Sequence, residues 1–499
     1  MLNLIQYGNT LRIWWKYNFL ENNSSYLITI NDKKYRTKKT FITLRNLVAG
    51  EKLSIALYLC SSRKRKFIAQ TETVMPEKKN IIDVTSAIYG AVGDGIIDNT
   101  SAIQKAINDC TKDCEVFFPD GVYSTGALDL RSGVTLHLSE NAVIKGSIKA
   151  VDYLPKVDSR FEGVMCKCYR SLINCGKADS LKGCAEKNIV IYGGTIEGGG
   201  KELIEDVLSL ERISIIKEYG LENQKAPSSF YYKVLPGRAR GRLVQISNTD
   251  NILIADCTLK NSPAWTNHFI FCKNVTICGC KILSSGIWNG DGIDPDSCTN
   301  CTFFDLVFKT GDDNIAIKSG KNAEGYKIGR PCENINIFNC KSYGGHGLAI
   351  GSEMSGGVRS VDVWDCDFTT TTRGIHIKSS RGRGGYVKDV SVNNCKLSAV
   401  CVIMDYADNN DGQHAPVPPI YENFYFSNLT LNGVINIVDD GRKKNTPFIY
   451  LSGLEDSKIK NLVVKNVTLK GVPSVFSRKV QAANVENVKF IGLVNDEIK

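Results

Sequence analysis

The sequence predicts an all-β protein, a right-handed parallel β-helix preceded by a small β-sandwich domain. A short strand-type repeat runs through most of the chain after residue 76, and each unit has Asp, Asn or Gly at one fixed turn position. Short repeated strands with a fixed turn residue and loops inserted between units are typical of a β-solenoid. The residues before 76 instead alternate between apolar and polar positions, as half-buried strands do.

The repeat unit is an apolar residue, any residue, Asp, Asn or Gly, a small apolar residue, any residue and, in most units, a second apolar residue. Its fourth position is held in order by Cys257, Cys280, Leu306, Cys340, Cys366, Cys395, Leu429 and Val467. We expect these cysteines to stack inside the solenoid as buried, reduced packing residues. The chain has 18 cysteines and 5 histidines, without a second CxxC or a histidine pair to complete a zinc site.

Residues 1–76 read as a fibronectin type III-like β-sandwich, and residues 77–499 as the β-helix domain. Asn, Asp, Gly and Ser turns separate the strand-like runs of the first domain. Trp14 and Trp15 are adjacent in one of these runs, so strand alternation sends one of them into the core. The alternative is that the pair forms a sugar-binding platform.

A helix is expected to cover the first end of the β-helix. From Asn99 onward, Ile103, Ala106, Ile107 and Cys110 follow helical spacing, and a terminal cap is what a repeat protein requires. The preceding AVGDG lacks the strand, third glycine and helix of a dinucleotide site. Residues 152–187 and 200–240 break the repeat, either as walls of a groove or as surface elaboration.

Charge and hydropathy restrict the partners. The net charge of +10 favours an anionic partner, but Lys and Arg are dispersed, which fits a polyanionic sugar better than nucleic acid. The sequence has no run of eighteen apolar residues and so predicts no membrane span. No secretory signal is evident at the N-terminus, and a cytoplasmic location is therefore expected.

Candidate catalytic residues emerge when the strands after each repeat are aligned on their apolar cores, Ile293, Ile315, Leu348 and Ile375. The alignment places four polar residues at equivalent positions on neighbouring coils, about 4.8 Å apart per step: Asp291, Asp313, His346 and Arg373. Asp312 directly precedes Asp313. With three carboxyls so close, at least one pKa is expected to rise, as a general acid requires. A calcium site or turn-capping aspartates are the alternatives; His346 and Lys378 on successive coils favour sugar hydrolysis.

At these residues the chain resembles glycoside hydrolase family 28, the polygalacturonases, and within it the bacterial exo-polygalacturonases. The family's ordered motifs correspond here to Asn289-Gly290-Asp291-Gly292, Gly311-Asp312-Asp313, Gly345-His346-Gly347 and His376-Ile377-Lys378. An SPxW segment at Ser262–Trp265 also matches, with His268 close behind. The resemblance covers roughly residues 80–490.

This resemblance implies a pectin-lyase-like solenoid and inverting hydrolysis of α-1,4-linked galacturonate. Asp312 would protonate the leaving oxygen, and Asp291 and Asp313 would hold and deprotonate the attacking water, which needs acid and base carboxyls about 6.5–9.5 Å apart. His346 would tune and orient the acid. Neither a cofactor nor a metal ion is expected.

The substrate contacts implied are Lys378, His376, Asn289, Arg373, Arg381 and His268. Lys378 would bind a substrate carboxylate beside the cleaved bond. His376 stands where the family has an arginine, and a neutral imidazole cannot form the two-pronged arginine–carboxylate pair. Arg373, Arg381 and Arg383 lie near enough in sequence to substitute for it.

The expected substrate is an oligogalacturonate or related acidic pectin fragment, from which an exo-acting enzyme releases galacturonate. The alternatives are an endo-polygalacturonase, a rhamnogalacturonan or xylogalacturonan hydrolase, a pectate lyase, and an inactive pectin-binding β-helix. The sequence makes no prediction of oligomeric state.

Overall fold

The computed structural model divides the chain into two compact units, Met1–Ile81 and Ile82–Lys499. It describes residues 1–16, 24–61, 64–218, 235–406, 412–433, 437–439, 442–444, 447–470 and 480–496. The division lies a few residues beyond the predicted boundary at residue 76. Within the described ranges, no helix has the length and apolarity needed to span a membrane.

The first unit consists of a three-stranded and a four-stranded antiparallel sheet. Its strands are Leu2–Tyr7, Thr10–Trp15, Ser25–Ile30, Lys33–Thr37, Phe41–Leu44, Lys52–Cys60 and Arg65–Val74. Ile13 from one sheet and Ile28 and Ile55 from the other share a single apolar core, so the unit is a sandwich. Trp15 belongs to this core, with its ring 5.1 Å from that of Tyr26. The likeness to fibronectin type III remains a prediction.

The second unit is the predicted right-handed parallel β-helix. Its larger sheet contains Asn80–Asp83, Asp94–Asp98, Cys114–Phe118, Gly121–Thr125, Thr135–Leu138, Ala142–Gly146, Glu186–Tyr192, Thr195–Glu197, Thr249–Ala255, Thr258–Lys260, Lys273–Cys278, Lys281–Leu283, Thr299–Phe304, Val307–Lys309, Cys332–Phe338, Lys341–Ser342, Val358–Trp364, Asp367–Phe368, Tyr386–Asn393, Lys396–Leu397, Ile420–Leu431, Ile459–Lys470 and Val485–Asp496.

Among the described residues, a second sheet of eleven strands runs along another face of the β-helix. Its strands in order are Leu128–Leu130, Ile173–Cys175, Val244–Ser247, Asn267–Ile270, Ile293–Asp296, Ile315–Ile317, Leu348–Ile350, Ile375–Lys378, Val400–Ile403, Ile449–Ser452 and Val480–Ala483. Each coil contributes one strand, and neighbouring strands are parallel. Residues at matching positions therefore stack from coil to coil.

The fixed turn position of the repeat has a left-handed backbone. Its φ is positive in all eight units, at Asp256, Gly279, Asp305, Asn339, Asp365, Asn394, Asn428 and Asn466. Asn and Asp tolerate this region better than other residues with a side chain, and Gly adopts it freely. Hydrogen bonds between successive turns stabilise the stack, such as that from Asn466 Nδ2 to Asn428 Oδ1 at 3.2 Å. The repeat thus encodes the turn geometry itself.

The expected interior cysteines are confirmed. All five cysteines at the fourth repeat position are 1–3% exposed, and all eighteen cysteines of the chain are free thiols. The helix predicted after Asn99 is Thr100–Asp109, and it packs Ile103, Ala106 and Ile107 into the β-helix core.

The two segments that break the repeat supply elements outside the coils. The first forms an antiparallel hairpin of Val157–Phe161 and Val164–Cys168, and also contributes the coil strand Ile173–Cys175. The second forms the helices Gly200–Glu218 and Leu235–Arg238, while residues 219–234 lie outside the described part of the chain. Further elements are the helix Asn322–Ile328, the 3-10 turns Ala150–Tyr153 and Arg381–Arg383, and the hairpin Ile437–Asp439 with Arg442–Lys444.

Candidate active site

The alignment of candidate catalytic residues is confirmed by the strand register. Ile293 pairs with Ile315, Ile315 with Leu348, and Leu348 with Ile375. The residues two positions earlier are Asp291, Asp313, His346 and Arg373, which all line one groove of about 330 Å³ together with Asp312. Because neighbouring strands are in register at these positions, each coil places one polar group in this groove.

Asp312 and His346 form the most accessible part of the cluster. His346 Nδ1 lies 2.9 Å from Asp312 Oδ1. Burial raises the pKa of Asp312, but the hydrogen bond and positive charge of His346 outweigh it and hold that pKa below its ordinary value. Burial lowers the pKa of His346, but Asp312 and Asp313 more than offset it, and this pKa is raised. The pair therefore retains a proton in the hydrogen bond that joins it.

Asp313 is buried against Lys378. Lys378 Nζ donates a hydrogen bond to Asp313 Oδ2 over 3.0 Å, and the side chains are 10% and 4% exposed. Burial opposes the charge of Lys378, but the neighbouring Asp313 raises the pKa of Lys378 and keeps the ammonium charged. Lys378 thus reaches the groove, as expected for a substrate contact. Its ammonium is already paired with the catalytic carboxylate of Asp313.

Asp291 is a predicted catalytic carboxyl with a raised pKa. Burial raises the pKa of Asp291 well above its ordinary value, and the charges of Asp294 and Asp312 add to this effect. Burial also raises the pKa of Asp294, to about 8. The expectation of at least one raised carboxyl pKa is therefore met by Asp291, and not by Asp312, the residue implied to be the acid.

Lys318 is a central residue that the sequence argument missed. Its buried Nζ lies 3.9 Å from Asp291 Oδ2, 3.6 Å from Asp294 Oδ1 and 3.3 Å from Glu353 Oε2. The ring centroid of Trp265, from the SPxW segment, is 4.7 Å from the same Nζ. Burial lowers the pKa of Lys318, but these carboxylates raise it well above its ordinary value. A permanent cation thus lies beneath the catalytic acids.

A signal for Lys318 was present in the sequence. Ile315-Ala-Ile317-Lys318 has the same form as Ile375-His-Ile377-Lys378, and both lysines follow the apolar core at the same position. The neighbouring coil places Asp296 at this position, paired with Lys318 in an isolated bridge.

Four of the six residues predicted to bind substrate line the groove, namely Lys378, His376, Asn289 and Arg373. His376 is 2% exposed, and burial, together with the charges of Lys378 and Arg373, lowers its pKa well below the ordinary value. The side-chain oxygen of Asn289 accepts a hydrogen bond of 2.7 Å from Arg240 Nη2. This hydrogen bond from Arg240 fixes the position of the Asn289 side chain.

The remaining two predicted substrate contacts do not reach the groove. Arg381 is exposed and donates a hydrogen bond of 3.0 Å from Nε to Asp456 Oδ2, so its guanidinium is paired outside the groove. Arg383, also considered from the sequence, is buried and lines the groove. His268 is 0% exposed and packs edge-on against Trp265, with ring centroids 4.8 Å apart. We therefore assign His268 to the support of the groove and not to substrate contact.

Asp312, Asp313 and His346 also present ligand atoms within 4.8 Å of one another, a spacing that could hold a metal ion. All three groups are already engaged, since His346 bonds Asp312 and Lys378 bonds Asp313. A cation here would face the charge of Lys378 directly. The donor set is therefore better suited to proton transfer than to a hard cation.

The hairpin from the first inserted segment borders this groove. Arg160 Nη1 donates a hydrogen bond of 2.8 Å to Asp296 Oδ1, and both side chains are fully buried. At the tip, the backbone oxygen of Gly163 accepts a hydrogen bond of 3.2 Å from the backbone N–H of Lys321. Glu162, beside it, lines the groove and accepts hydrogen bonds of 3.0 and 2.8 Å from Arg238. The two inserted segments are thereby joined at the groove.

Comparison with known proteins agrees with this geometry. The model of glycosyl hydrolases family 28 matches residues 157–489, which is more than half of the chain. A model described as rhamnogalacturonase A/epimerase, pectate lyase-like, matches residues 82–154. The two matches are consecutive and span most of the β-helix unit.

Individual relatives extend the similarity. An exo-poly-alpha-D-galacturonosidase of Dickeya chrysanthemi is 30% identical over 83% of this chain and 75% of its own length. An endo-polygalacturonase of Pectobacterium carotovorum subsp. carotovorum is 29% identical over 74% of this chain and 87% of its own. The family 28 exopolygalacturonase structure from Yersinia enterocolitica covers 100% of this chain and 98% of that one, with a TM-score of 0.81 and 21% identity, and thus shares the fold. The chain belongs to glycosyl hydrolases family 28 and is a glycoside hydrolase.

Proposed function

We propose that this protein is an inverting, exo-acting hydrolase that releases galacturonate from α-1,4-linked oligogalacturonates. The observation that carries the proposal is the division of one groove into a proton-holding pair, Asp312 and His346, and two carboxyls of a different kind, Asp291 and Asp313. Inverting hydrolysis needs a proton donor on one side of the scissile bond and a water-activating group on the other.

Asp312 is the proton donor to the leaving oxygen. It is more exposed to the groove than Asp291 and Asp313, and its hydrogen bond to His346 supplies the proton that its own lowered pKa would not retain. His346 thus acts through Asp312, as a positioning and proton-supplying residue. This assignment explains why the carboxyl with the raised pKa need not be the acid.

Asp291 and Asp313 hold the attacking water. Each lines the groove, and in each the Oδ1 atom is buried and has no hydrogen-bond partner among the described residues. A water molecule can donate one hydrogen to each of these oxygens, which satisfies both. Lys318 Nζ lies 3.9 Å from Asp291 Oδ2, and its charge stabilises the carboxylate that forms when Asp291 loses a proton to solvent.

Cationic side chains in the groove can bind the carboxylates of an anionic substrate. Lys321, Arg373, Lys378 and Arg383 all line the groove, and the chain carries a net charge of +10. The substrate class also agrees with the names of the relatives, exo- and endo-acting polygalacturonases alike. We therefore propose an oligogalacturonate or related acidic pectin fragment as the substrate.

Exo action is supported by the hairpin of residues 157–168. The anchored Arg160, the tip at Gly163 and the Glu162–Arg238 pair make this insertion a fixed wall beside the catalytic cluster. An enzyme that cleaves inside a long polymer needs a groove that is open at both ends. A groove closed by a wall accepts a chain end instead. An endo-acting enzyme is the closest alternative, and a rhamnogalacturonan or xylogalacturonan hydrolase is another within the family.

We also propose a cytoplasmic location for the protein. Short oligogalacturonates, and not polymer, would be the substrates there. The supporting observation is that all eighteen cysteines are free thiols, as is usual in a reducing compartment.

The proposal is tested with trigalacturonate and a hexamer as substrates for the wild type and Asp312→Asn. We expect galacturonate as the first product from both, and a loss of about 10²–10⁴-fold in kcat for the variant. Early dimers and trimers from the hexamer would show endo action. An ultraviolet-absorbing unsaturated product, with activity lost in EDTA, would show a pectate lyase. A wild type without turnover would support an inactive pectin-binding protein.

A further inference from the structure

His376 lies at the floor of the groove, and the residues that the structure describes supply no acidic partner to it. On the strand Ile375–Lys378 it pairs with Ala349 of one neighbouring coil and Cys401 of the other, both small and apolar. The ring of Tyr406 meets it edge-on, with centroids 5.8 Å apart. The nearest catalytic carboxylate in sequence register, Asp313, is bonded to Lys378 instead.

The imidazole of His376 has an unsatisfied atom. Its Nε2 is buried and lacks a hydrogen-bond partner among the residues that the structure describes, while the side chain lines the groove. Buried polar atoms in folded proteins are nearly always paired, so an orphan at a binding groove indicates a ligand group that pairs with it. Burial and the flanking cations lower the pKa of His376 well below its ordinary value, in keeping with a neutral ring.

A neutral imidazole recognises a different group from arginine. It offers a single N–H or a single lone pair and no charge, whereas a carboxylate is best held by two parallel N–H donors with a positive charge. An ester carbonyl accepts one N–H, and its methyl group needs apolar surface. Tyr406, which lines the groove beside His376 and meets its ring edge-on, provides that surface.

We propose that His376 makes this part of the groove a subsite for a methyl-esterified galacturonate residue in place of the free acid. The inference rests on the proposed function and deepens it by naming the state of the sugar that the subsite prefers. Lys378 remains available to Asp313 for catalysis, because the ester requires no counter-charge.

The test uses three digalacturonates as substrates: the free acid, the ester on the first residue and the ester on the second. We expect wild-type kcat/KM for one of the two esters to equal or exceed that for the free acid. His376→Arg is expected to raise kcat/KM for the free acid and lower it for that ester, each by about 10-fold. His376→Asn keeps a neutral hydrogen-bonding group and should keep the wild-type order of preference.

A wild type that prefers the free acid to both esters by more than about 10-fold would overturn the proposal, as would an unchanged ratio in a folded His376→Arg. If His376→Arg fails to fold, the wild-type ratio decides alone. Hydrolysis of none of the three compounds would overturn the proposed function itself. Hydrolysis of the free acid alone would leave the function intact and remove only the inference. Arg381→Gln, outside the groove, is the matched control and should not change the ratio.

Discussion

His346 Nδ1 lies 2.9 Å from Asp312 Oδ1, and this contact between two partly exposed side chains joins two adjacent coils of the β-helix. This contact lowers the pKa of Asp312 and raises that of His346, in each case against the effect of burial. At a pH below the ordinary pKa of imidazole, the Asp312–His346 pair holds one proton. It loses that proton as the pH rises through the raised pKa of His346.

We therefore predict that kcat falls on the alkaline side with the raised pKa of His346. His346→Asn removes this titrating group and leaves Asp312 to titrate alone, so it should lower kcat by about 10²-fold and move the alkaline limb away from the pKa of His346. The measurement is a pH profile of kcat for both proteins. A variant that keeps the wild-type limb would show that another group supplies the proton.

Lys318 should be required for both stability and activity. Its replacement in Lys318→Met leaves Asp291, Asp294 and Glu353 buried without their shared cation. Breaking a buried ion pair from one side costs about 3–5 kcal/mol, and we expect a loss of that order in the free energy of unfolding, measured in urea. Lys309→Met, at an exposed lysine on a neighbouring strand, should cost less than about 0.5 kcal/mol. Equal losses for both variants would contradict the role of Lys318.

The hairpin wall should determine the product size. Glu162→Ala combined with Arg238→Ala removes the ion pair that joins the two inserted segments, so oligomers longer than galacturonate should appear among the early products from polygalacturonate. Lys167→Ala breaks the exposed Lys167–Asp158 pair of the same hairpin and serves as the control. Chromatography of early products decides between them. Release of monomer alone by the double variant would argue against this wall as the basis of exo action.

His268 should make the fold sensitive to acid. Burial lowers the pKa of His268 to about 4, while in the unfolded chain it is near 6.5. The unfolded state therefore binds a proton that the folded state does not, and stability is lost as the pH falls from about 6.5 to about 4. His268→Gln should reduce the slope of unfolding free energy against pH in this window by up to about 1.4 kcal/mol per unit. An unchanged slope would contradict the assignment.

The β-helix architecture and the alignment of candidate catalytic residues on neighbouring coils were predictable because both depend on local sequence. The fixed Asn, Asp or Gly encodes a left-handed turn, as at Asp256 and Asn339, and the apolar core of each strand sets the register. Once Ile315 is aligned with Leu348, the positions of Asp313 and His346 follow.

What the sequence did not show depends on contacts between distant segments. Glu162 of the first inserted segment meets Arg238 of the second, and Arg160 meets Asp296 from outside the coils. The placement of His268 was also missed, because proximity to Trp265 in sequence does not reveal which face of the strand is buried. Lys318, in contrast, was available from the same alignment that placed Lys378.

The most direct test of the central claim is the anomeric form of the first product. In the proposed mechanism, Asp312 protonates the leaving oxygen while a water held by Asp291 and Asp313 attacks from the opposite face, which inverts the anomeric carbon. Proton NMR during hydrolysis of trigalacturonate should therefore show the β-anomer of galacturonate first, followed by mutarotation. Initial appearance of the α-anomer would contradict the account.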